Sequence, residues 1–218
     1  MSSIDTVVCV HGFWSHGTTM YLIKRRLENE YGMRALLFSY PSVRGTLDEN
    51  AAALADFIAD EGLDETHIVG HSLGGIVALR MHSNFDATPP GRVVCLGSPL
   101  TGSRSAQFLR GQDWAEPFVG HSLPKGTLDE PASDWAHEVC ADREIGVIAG
   151  NASLGIGQFV AEFEEENDGA VAISETQLDG VRDHVIMPVS HNGMLLSSRV
   201  VDQAAAFLKR GEFLRDTD

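Results

Sequence analysis

The motif Gly70-His71-Ser72-Leu73-Gly74 has the pattern G-x-S-x-G. A serine that acts as a nucleophile must project from a turn tight enough to expose its hydroxyl oxygen, and glycine two positions to either side removes the steric clash. The motif follows the β-rich run THIV and precedes the apolar segment LGGIVALRMH. Because nucleophilic chemistry at such a serine requires this strand–turn–helix setting, we interpret Ser72 as a nucleophile.

A second copy of the letters GHSL occurs in the segment Gly120-His121-Ser122-Leu123-Pro124. Here proline replaces the final glycine, and no β-rich run precedes the segment. We therefore interpret it as a loop without catalytic chemistry.

The elements that must position Ser72 alternate along the chain between short β-rich runs and longer amphipathic segments. Six strands are predicted, at Thr6–Val10, Arg34–Tyr40, Thr66–Val69, Arg92–Leu96, Glu144–Ala149 and His184–Val189. Helices are predicted at Thr18–Tyr31, Thr46–Asp60, Leu73–His82 and Asn192–Arg210. This alternation indicates an α/β fold, with a mostly parallel central sheet of about six strands and helices on both faces. Sites in such sheets form at the carboxyl ends of the strands.

Two irregular segments interrupt this alternation. Residues 112–140 form an excursion rich in glycine, proline and aromatic residues, which we interpret as a small cap. Asn151–Asn167 contains the acidic run Glu164–Glu166, which is typical of a solvated face. With no repeat or low-complexity linker in the sequence, we expect residues 1–218 to form a single domain.

Composition excludes several classes of function. The net charge of −15 opposes binding to nucleic acid or to anionic lipid. Three cysteines cannot form a complete disulfide framework, the N-terminus lacks the features of a signal peptide, and no 18-residue apolar window occurs. We therefore expect a cytoplasmic protein without membrane insertion, whose oligomeric state the sequence leaves open.

The sequence VGHSLGG after a strand, together with VHGFW (Val10–Trp14) in an early strand and loop, resembles the α/β-hydrolase superfamily. Within it, the chain is similar to the small bacterial lipases and esterases over nearly its whole length. The similarity begins at the third strand of the family, so we expect the fold to lack the first two strands. The run Leu96–Ser103 is similar to a stretch of those lipases that usually has His where Leu100 stands here.

The resemblance implies a catalytic triad in the chain order serine, acid, histidine. His191 follows the last predicted strand, as the base should, whereas His184 lies at the wrong end of that strand. The acid should lie between the fifth and sixth strands, where Asp168 begins an Asp-Gly turn that we expect to be exposed. The alternative acids are Glu166, Asp179, Asp183 and Asp142.

The resemblance also implies an oxyanion hole made of two backbone N–H groups, those of Phe13 and Leu73. His67 and His71 are four residues apart, but they flank a strand and no H-E-x-x-H motif occurs, so we expect no metal ion. No cofactor is expected either.

These residues together predict a serine hydrolase that cleaves carboxylic esters through an acyl-enzyme. The strong negative charge, and the absence of a long apolar face in residues 112–140, favour soluble or short-chain esters as the small-molecule substrate. Two alternatives stay open. One is an acyltransferase or a thioesterase on the same triad, and the other is a non-catalytic binding protein on the hydrolase scaffold.

Overall fold

Six short strands pair side by side in one sheet. The computed structural model describes residues 4–110, 131–153 and 165–215. The strands are β1 (Thr6–Val10), β2 (Arg34–Phe38), β3 (His67–His71), β4 (Val93–Leu96), β5 (Ile145–Gly150) and β6 (Asp183–Met187). Their order across the sheet is β2-β1-β3-β4-β5-β6, and every neighbouring pair is parallel. The predicted α/β class with six parallel strands is confirmed.

Helices connect the strands. The α-helices of the described residues are α1 (Tyr21–Tyr31), α2 (Leu47–Asp60), α3 (Leu73–Asn84), α4 (Arg104–Arg110), α5 (His137–Asp142) and α6 (Ser198–Arg210). Short 3-10 helices lie at Gly17–Met20, Ala132–Asp134, Ile173–Thr176 and Asn192–Leu195. Within these same ranges, no helix is long and apolar enough to cross a membrane.

The interior strands of the sheet are buried on both faces, which explains why β1, β4 and β5 are almost continuously apolar. Along β1, Val8 and Val10 belong to the hydrophobic cluster shared with α2 and α3. Val7 and Cys9 belong to the cluster shared with α1 and α6, on the other face. Since side chains alternate between faces with period two, a strand covered by helices on both sides needs an apolar residue at every position.

The closing helix differs from its prediction. A single helix over Asn192–Arg210 was expected, but the structure has a 3-10 helix at Asn192–Leu195 and starts α6 at Ser198. The Ser197 side chain accepts a hydrogen bond from the Val200 N–H at 3.4 Å and so begins a new helix. The residues directly after His191 therefore form a separate short turn.

The excursion predicted at 112–140 is described only from residue 131 onward. Residues 112–130, including the loop Gly120–Pro124, lie outside the described residues. Beyond them, Ala132, Ala136 and Val139 are buried in the hydrophobic cluster that contains α3. This last part of the excursion contributes to the core on one face of the sheet.

Candidate active site

Ser72 lies at the tight turn between β3 and α3. Its backbone has φ +53° and ψ −122°, a conformation that a residue with a side chain rarely adopts. The turn brings Gly70 so close to Gly74 and Gly75 that a Cβ atom on Gly70 would lie 2.4 Å from the Gly75 nitrogen. A Cβ atom on Gly74 would lie 2.3 Å from the Val10 carbonyl oxygen. Both glycines of the motif are therefore required by close backbone approach.

A small cleft of about 120 Å³ opens over this turn. Ser72, Leu73 and Phe13 line it together with His191. The side chains of Ser72 and His191 share the cleft without a direct hydrogen bond between them.

The loop after β1 approaches Ser72 through Gly12. A Cβ atom on Gly12 would lie 3.0 Å from the Ser72 Cβ and 3.2 Å from the His71 carbonyl oxygen. Glycine at this position lets the backbone of the loop reach the serine turn. The next residue, Phe13, lines the cleft beside Ser72.

A network of buried side chains holds this loop. The His11 Nε2 accepts the Tyr40 N–H at 3.2 Å, so the proton of the ring lies on Nδ1. That Nδ1–H and the Ser15 hydroxyl both donate to the Gly12 carbonyl, each at 2.8 Å. The Tyr40 hydroxyl donates to the His11 carbonyl at 2.8 Å, and burial lowers the pKa of His11 and keeps its ring neutral. Because C=O and N–H point in opposite directions across a trans peptide, these bonds also fix the direction of the Phe13 N–H.

Asp168 presents one carboxylate oxygen to the site and uses the other to hold its own turn. Its Oδ1 accepts the N–H groups of Ala170 at 2.9 Å and Val171 at 2.7 Å. The residue is 1% exposed, so the expectation of an exposed Asp-Gly turn was wrong. The turn can be buried because the carboxylate satisfies its backbone donors and Val171 packs inward.

His191 follows β6 and faces the free oxygen of Asp168. The Nδ1–H donates to the Asp168 Oδ2 at 2.7 Å, and the His191 backbone N–H donates to the Asp168 carbonyl at 2.8 Å. On the other side, the His71 Nε2–H donates to the His191 carbonyl at 3.0 Å. Burial lowers the pKa of His71 to about 3, so His71 is a neutral support.

Gly97 makes room for the contact between Asp168 and His191, a role that was not predicted from the sequence. It has φ +56°, and a Cβ atom there would lie 3.0 Å from the Asp168 Oδ2 and 3.1 Å from the His191 Nδ1. The only signal in the sequence was its place directly after a strand, in the run LGSP. Ser15 and Tyr40 were not predicted either, because their contacts with His11 form only in the folded loop.

The alternative residues do not reach the cleft. Glu166, Asp179 and Asp142 have exposed side chains. Asp183 lies at the amino end of β6, where its carboxylate accepts the Phe213 N–H. His184, beside it, is hydrogen-bonded to Thr176.

The two histidines weighed as metal ligands lie at opposite ends of β3. His67 accepts the Arg92 N–H at 2.8 Å, and burial lowers its pKa to about 4, whereas His71 is bound to His191. Among the residues that the structure describes, no group of three or more histidine, cysteine or acidic side chains could hold a metal ion.

Comparison with known proteins gives the family. Residues 7–204 match the model of the alpha/beta hydrolase family, and no curated protein matches the sequence. Among solved structures, the mature lipase BlEst2 from Bacillus licheniformis is similar with a TM-score of 0.72 and 17% identity, over 98% of this chain and 94% of that chain. The product of the gene lin2722 from Listeria innocua has a TM-score of 0.65 and 19% identity, over 99% of this chain and 96% of that chain.

A thermophilic esterase from Thermogutta terrifontis is also similar, with a TM-score of 0.66 and 15% identity, over 97% of this chain and 92% of that chain. At such low identities these likenesses show the fold alone. The family match covers most of the sequence and coincides with the parallel sheet and with the glycine-flanked serine after β3. The chain belongs to the alpha/beta hydrolase family.

Proposed function

We propose that the protein is a serine hydrolase that cleaves carboxylic esters, with Ser72 as nucleophile, His191 as base and Asp168 as acid. The observation that carries the proposal is the 2.7 Å hydrogen bond between the Asp168 Oδ2 and the His191 Nδ1, at the edge of the cleft that His191 shares with Ser72. This bond leaves the unprotonated Nε2 of His191 for the serine proton.

In the first half of the reaction, Ser72 Oγ attacks the ester carbonyl carbon while the His191 Nε2 takes the hydroxyl proton. The buried carboxylate of Asp168 stabilises the resulting imidazolium and holds the ring in the required tautomer. Collapse of the tetrahedral intermediate breaks the bond to the alcohol oxygen, which receives the proton from His191. The acyl group remains on Ser72.

In the second half, His191 takes a proton from water, and the resulting hydroxide attacks the acyl-enzyme. The carboxylic acid leaves and Ser72 recovers its proton. In both halves the carbonyl oxygen gains negative charge. We assign the stabilisation of this charge to the backbone N–H groups of Leu73 and Phe13. The position of Leu73 at the start of α3 supports this role, as do the hydrogen bonds that orient the Gly12–Phe13 peptide.

Short-chain esters are the substrates that the cleft supports. Its volume of about 120 Å³ is well below the roughly 300–1,000 Å³ of sites that hold drug-sized ligands. Apolar side chains, including Phe13, Ala106 and Val171, line it beside the serine. This lining suits a small aliphatic acyl group.

We also propose that the enzyme works in the cytoplasm on a small-molecule ester. The three cysteines are all free, and burial raises the pKa of Cys9 and Cys95 to about 12, so both behave as core residues. Immunodetection of the protein in the soluble fraction of its own cells would test this location.

The experiment that tests the function combines a covalent probe with a substrate panel. A fluorophosphonate should label wild-type protein stoichiometrically and fail to label Ser72→Ala. The matched control is Ser83→Ala, which removes a serine hydroxyl near the distal end of α3. A panel of p-nitrophenyl esters of increasing acyl length should give the highest kcat/KM for short chains.

Two results would contradict the proposal. Labelling that persists in Ser72→Ala would mean that another nucleophile reacts. A wild-type protein that is folded but neither labelled nor active on any ester would instead favour a binding protein on the hydrolase scaffold.

A further inference from the structure

A second cleft, of about 370 Å³, opens beside the candidate active site. It is lined by the loop residues that follow β1 and β2. They are Trp14, Ser15, Tyr40, Pro41, Ser42, Val43 and Arg44. We call it the arginine cleft, because Arg44 is the only charged residue among the described residues that line it.

The arginine cleft adjoins the cleft that contains Ser72. Phe13 lines the Ser72 cleft and its neighbour Trp14 lines the arginine cleft, with their ring centroids 5.0 Å apart. Trp14 is 53% exposed and has φ +52°, so the loop turns sharply where one cleft gives way to the other. An ester bound at Ser72 and longer than the small cleft would extend past these two rings.

The loop that carries Arg44 is ordered by its own backbone. The Arg44 N–H donates to the Pro41 carbonyl at 3.1 Å, and the Gly45 N–H donates to the same oxygen at 2.8 Å. The Ser42 N–H donates to the Tyr40 carbonyl at 2.9 Å. Arg44 is therefore presented from a defined turn at the rim of the cleft.

The charge of Arg44 is available for binding. Its side chain is exposed, and among the described residues no carboxylate forms an ion pair with it. Arg104, whose helix contributes Ala106 to the Ser72 cleft, is by contrast neutralised by Glu165 and Glu175. On a protein of net charge −15, an unneutralised guanidinium in the cleft next to that of Ser72 makes one local site that attracts anions.

We propose that the arginine cleft binds a carboxylate carried by the substrate, so that the preferred esters are anionic, with the carboxylate several bonds from the reacting carbonyl. This inference deepens the proposed function and rests on it. The planar guanidinium of Arg44 pairs with a carboxylate through two parallel hydrogen bonds, while the Trp14 and Tyr40 rings cover the apolar linker.

The test compares matched pairs of p-nitrophenyl esters whose acyl chains, about four to eight carbons long, end in either a carboxylate or a methyl group. A second series of acetate esters carries the carboxylate on the alcohol side. The quantity measured is the ratio of kcat/KM for the anionic ester to that for its neutral partner. Arg44→Gln is compared with Arg25→Gln, which makes the same change in net charge at an exposed position on α1.

Wild-type protein should prefer the anionic partner in one of the two series. Arg44→Gln should lower that ratio about fivefold, because a single ion pair that remains accessible to water contributes at most about that factor. Arg25→Gln should leave the ratio unchanged. Raising the ionic strength from about 0.02 M to about 0.5 M should lower the wild-type ratio and have little effect in Arg44→Gln.

The inference is overturned if neither series shows an anionic preference, or if Arg44→Gln and Arg25→Gln change the ratio equally. These results differ from a failure of the proposed function. If neutral esters are hydrolysed in a Ser72-dependent manner without an anionic preference, only the inference fails. If no ester is hydrolysed, the proposed function fails with it.

Discussion

Replacement of Asp168 by asparagine tests the geometry of the candidate triad most directly. In the wild-type structure Oδ1 accepts the backbone N–H groups of Ala170 and Val171, and Oδ2 accepts the Nδ1–H of His191. An asparagine must keep its carbonyl oxygen on the two backbone donors, which places its NH₂ group against His191. The imidazole must then accept at Nδ1, so its proton moves to Nε2 and the ring can no longer take the proton of Ser72.

The size of the loss in kcat follows from the free-energy cost of the opposite orientation of the asparagine amide. Turning the amide around would leave two buried backbone N–H groups facing an NH₂ group, at about 1–3 kcal/mol each. The total of about 2–6 kcal/mol keeps nearly all molecules in the inactive arrangement. In a serine protease triad, the corresponding substitution lowers kcat about 10⁴-fold, and we expect a similar loss here.

The assay measures kcat on p-nitrophenyl butyrate for Asp168→Asn and for the control Glu166→Gln, which neutralises an exposed carboxylate two residues away. Circular dichroism and urea unfolding should show that both variants are folded, because asparagine preserves the two bonds that hold the turn. Glu166→Gln should keep wild-type activity.

Retention of more than about a tenth of the wild-type kcat in Asp168→Asn would refute this reasoning. If Glu166→Gln lost its activity instead, Glu166 would be the acid. A variant that is inactive but unfolded would show that the carboxylate, and not merely an oxygen acceptor, is needed to hold the turn.

Three further predictions follow from the same structure. Ser72→Ala, His191→Ala and the double variant should fall to nearly the same residual kcat, because the two residues act as a unit; multiplicative losses would contradict this. Tyr40→Phe removes the hydroxyl that donates to the His11 carbonyl in the loop that carries Phe13, the proposed oxyanion donor, so it should lower kcat about tenfold with little change in KM; a change confined to KM would assign Tyr40 to substrate binding instead. Burial lowers the pKa of His67 to about 4 and of His71 to about 3, so below pH 6.5 the unfolded chain binds protons that the folded chain does not. The free energy of unfolding should then fall by roughly 1.4 kcal/mol per pH unit for each residue as the pH drops toward 4. When this free energy is measured by urea unfolding and plotted against pH, His67→Gln should give a shallower slope than wild type. Equal slopes would contradict the contribution of His67 to the pH dependence of stability.

The residues that carry local patterns could be predicted from the sequence. Ser72 sits between a β-rich run and an apolar helix with glycine at both required positions, so its backbone conformation was implied by neighbours within the motif. Asp168 and His191 were predicted from the resemblance to the α/β hydrolases, in the segments before and after the last strand, and the structure brings their side chains into contact. The positions of Asp168 and His191 in the sequence imply their direct contact only approximately, because that contact is a property of the folded chain.

The supporting residues could not be predicted, because their roles depend on contacts between distant segments. Tyr40 holds His11 from 29 positions away, across two neighbouring strands. Gly97 is required only because Asp168 and His191 pack over it, and both come much later in the chain. The break between the 3-10 helix at Asn192–Leu195 and α6 was not predicted, because the apolar spacing continues through it. Only Ser197 signals the start of a new helix.

The distribution of the site over the sheet has a consequence for refolding experiments. Phe13, Ser72, Asp168 and His191 follow β1, β3, β5 and β6, and β6 pairs only with β5 at the edge of the sheet. Among the six described strands every pairing is parallel and joins distant segments, so no hairpin of neighbouring strands assembles these residues. Parallel pairings form slowly, since long loops must close before any contact compensates the lost chain entropy. Recovery of catalysis should therefore lag behind recovery of helical circular dichroism, which makes activity a specific reporter of the last strand docking onto the sheet.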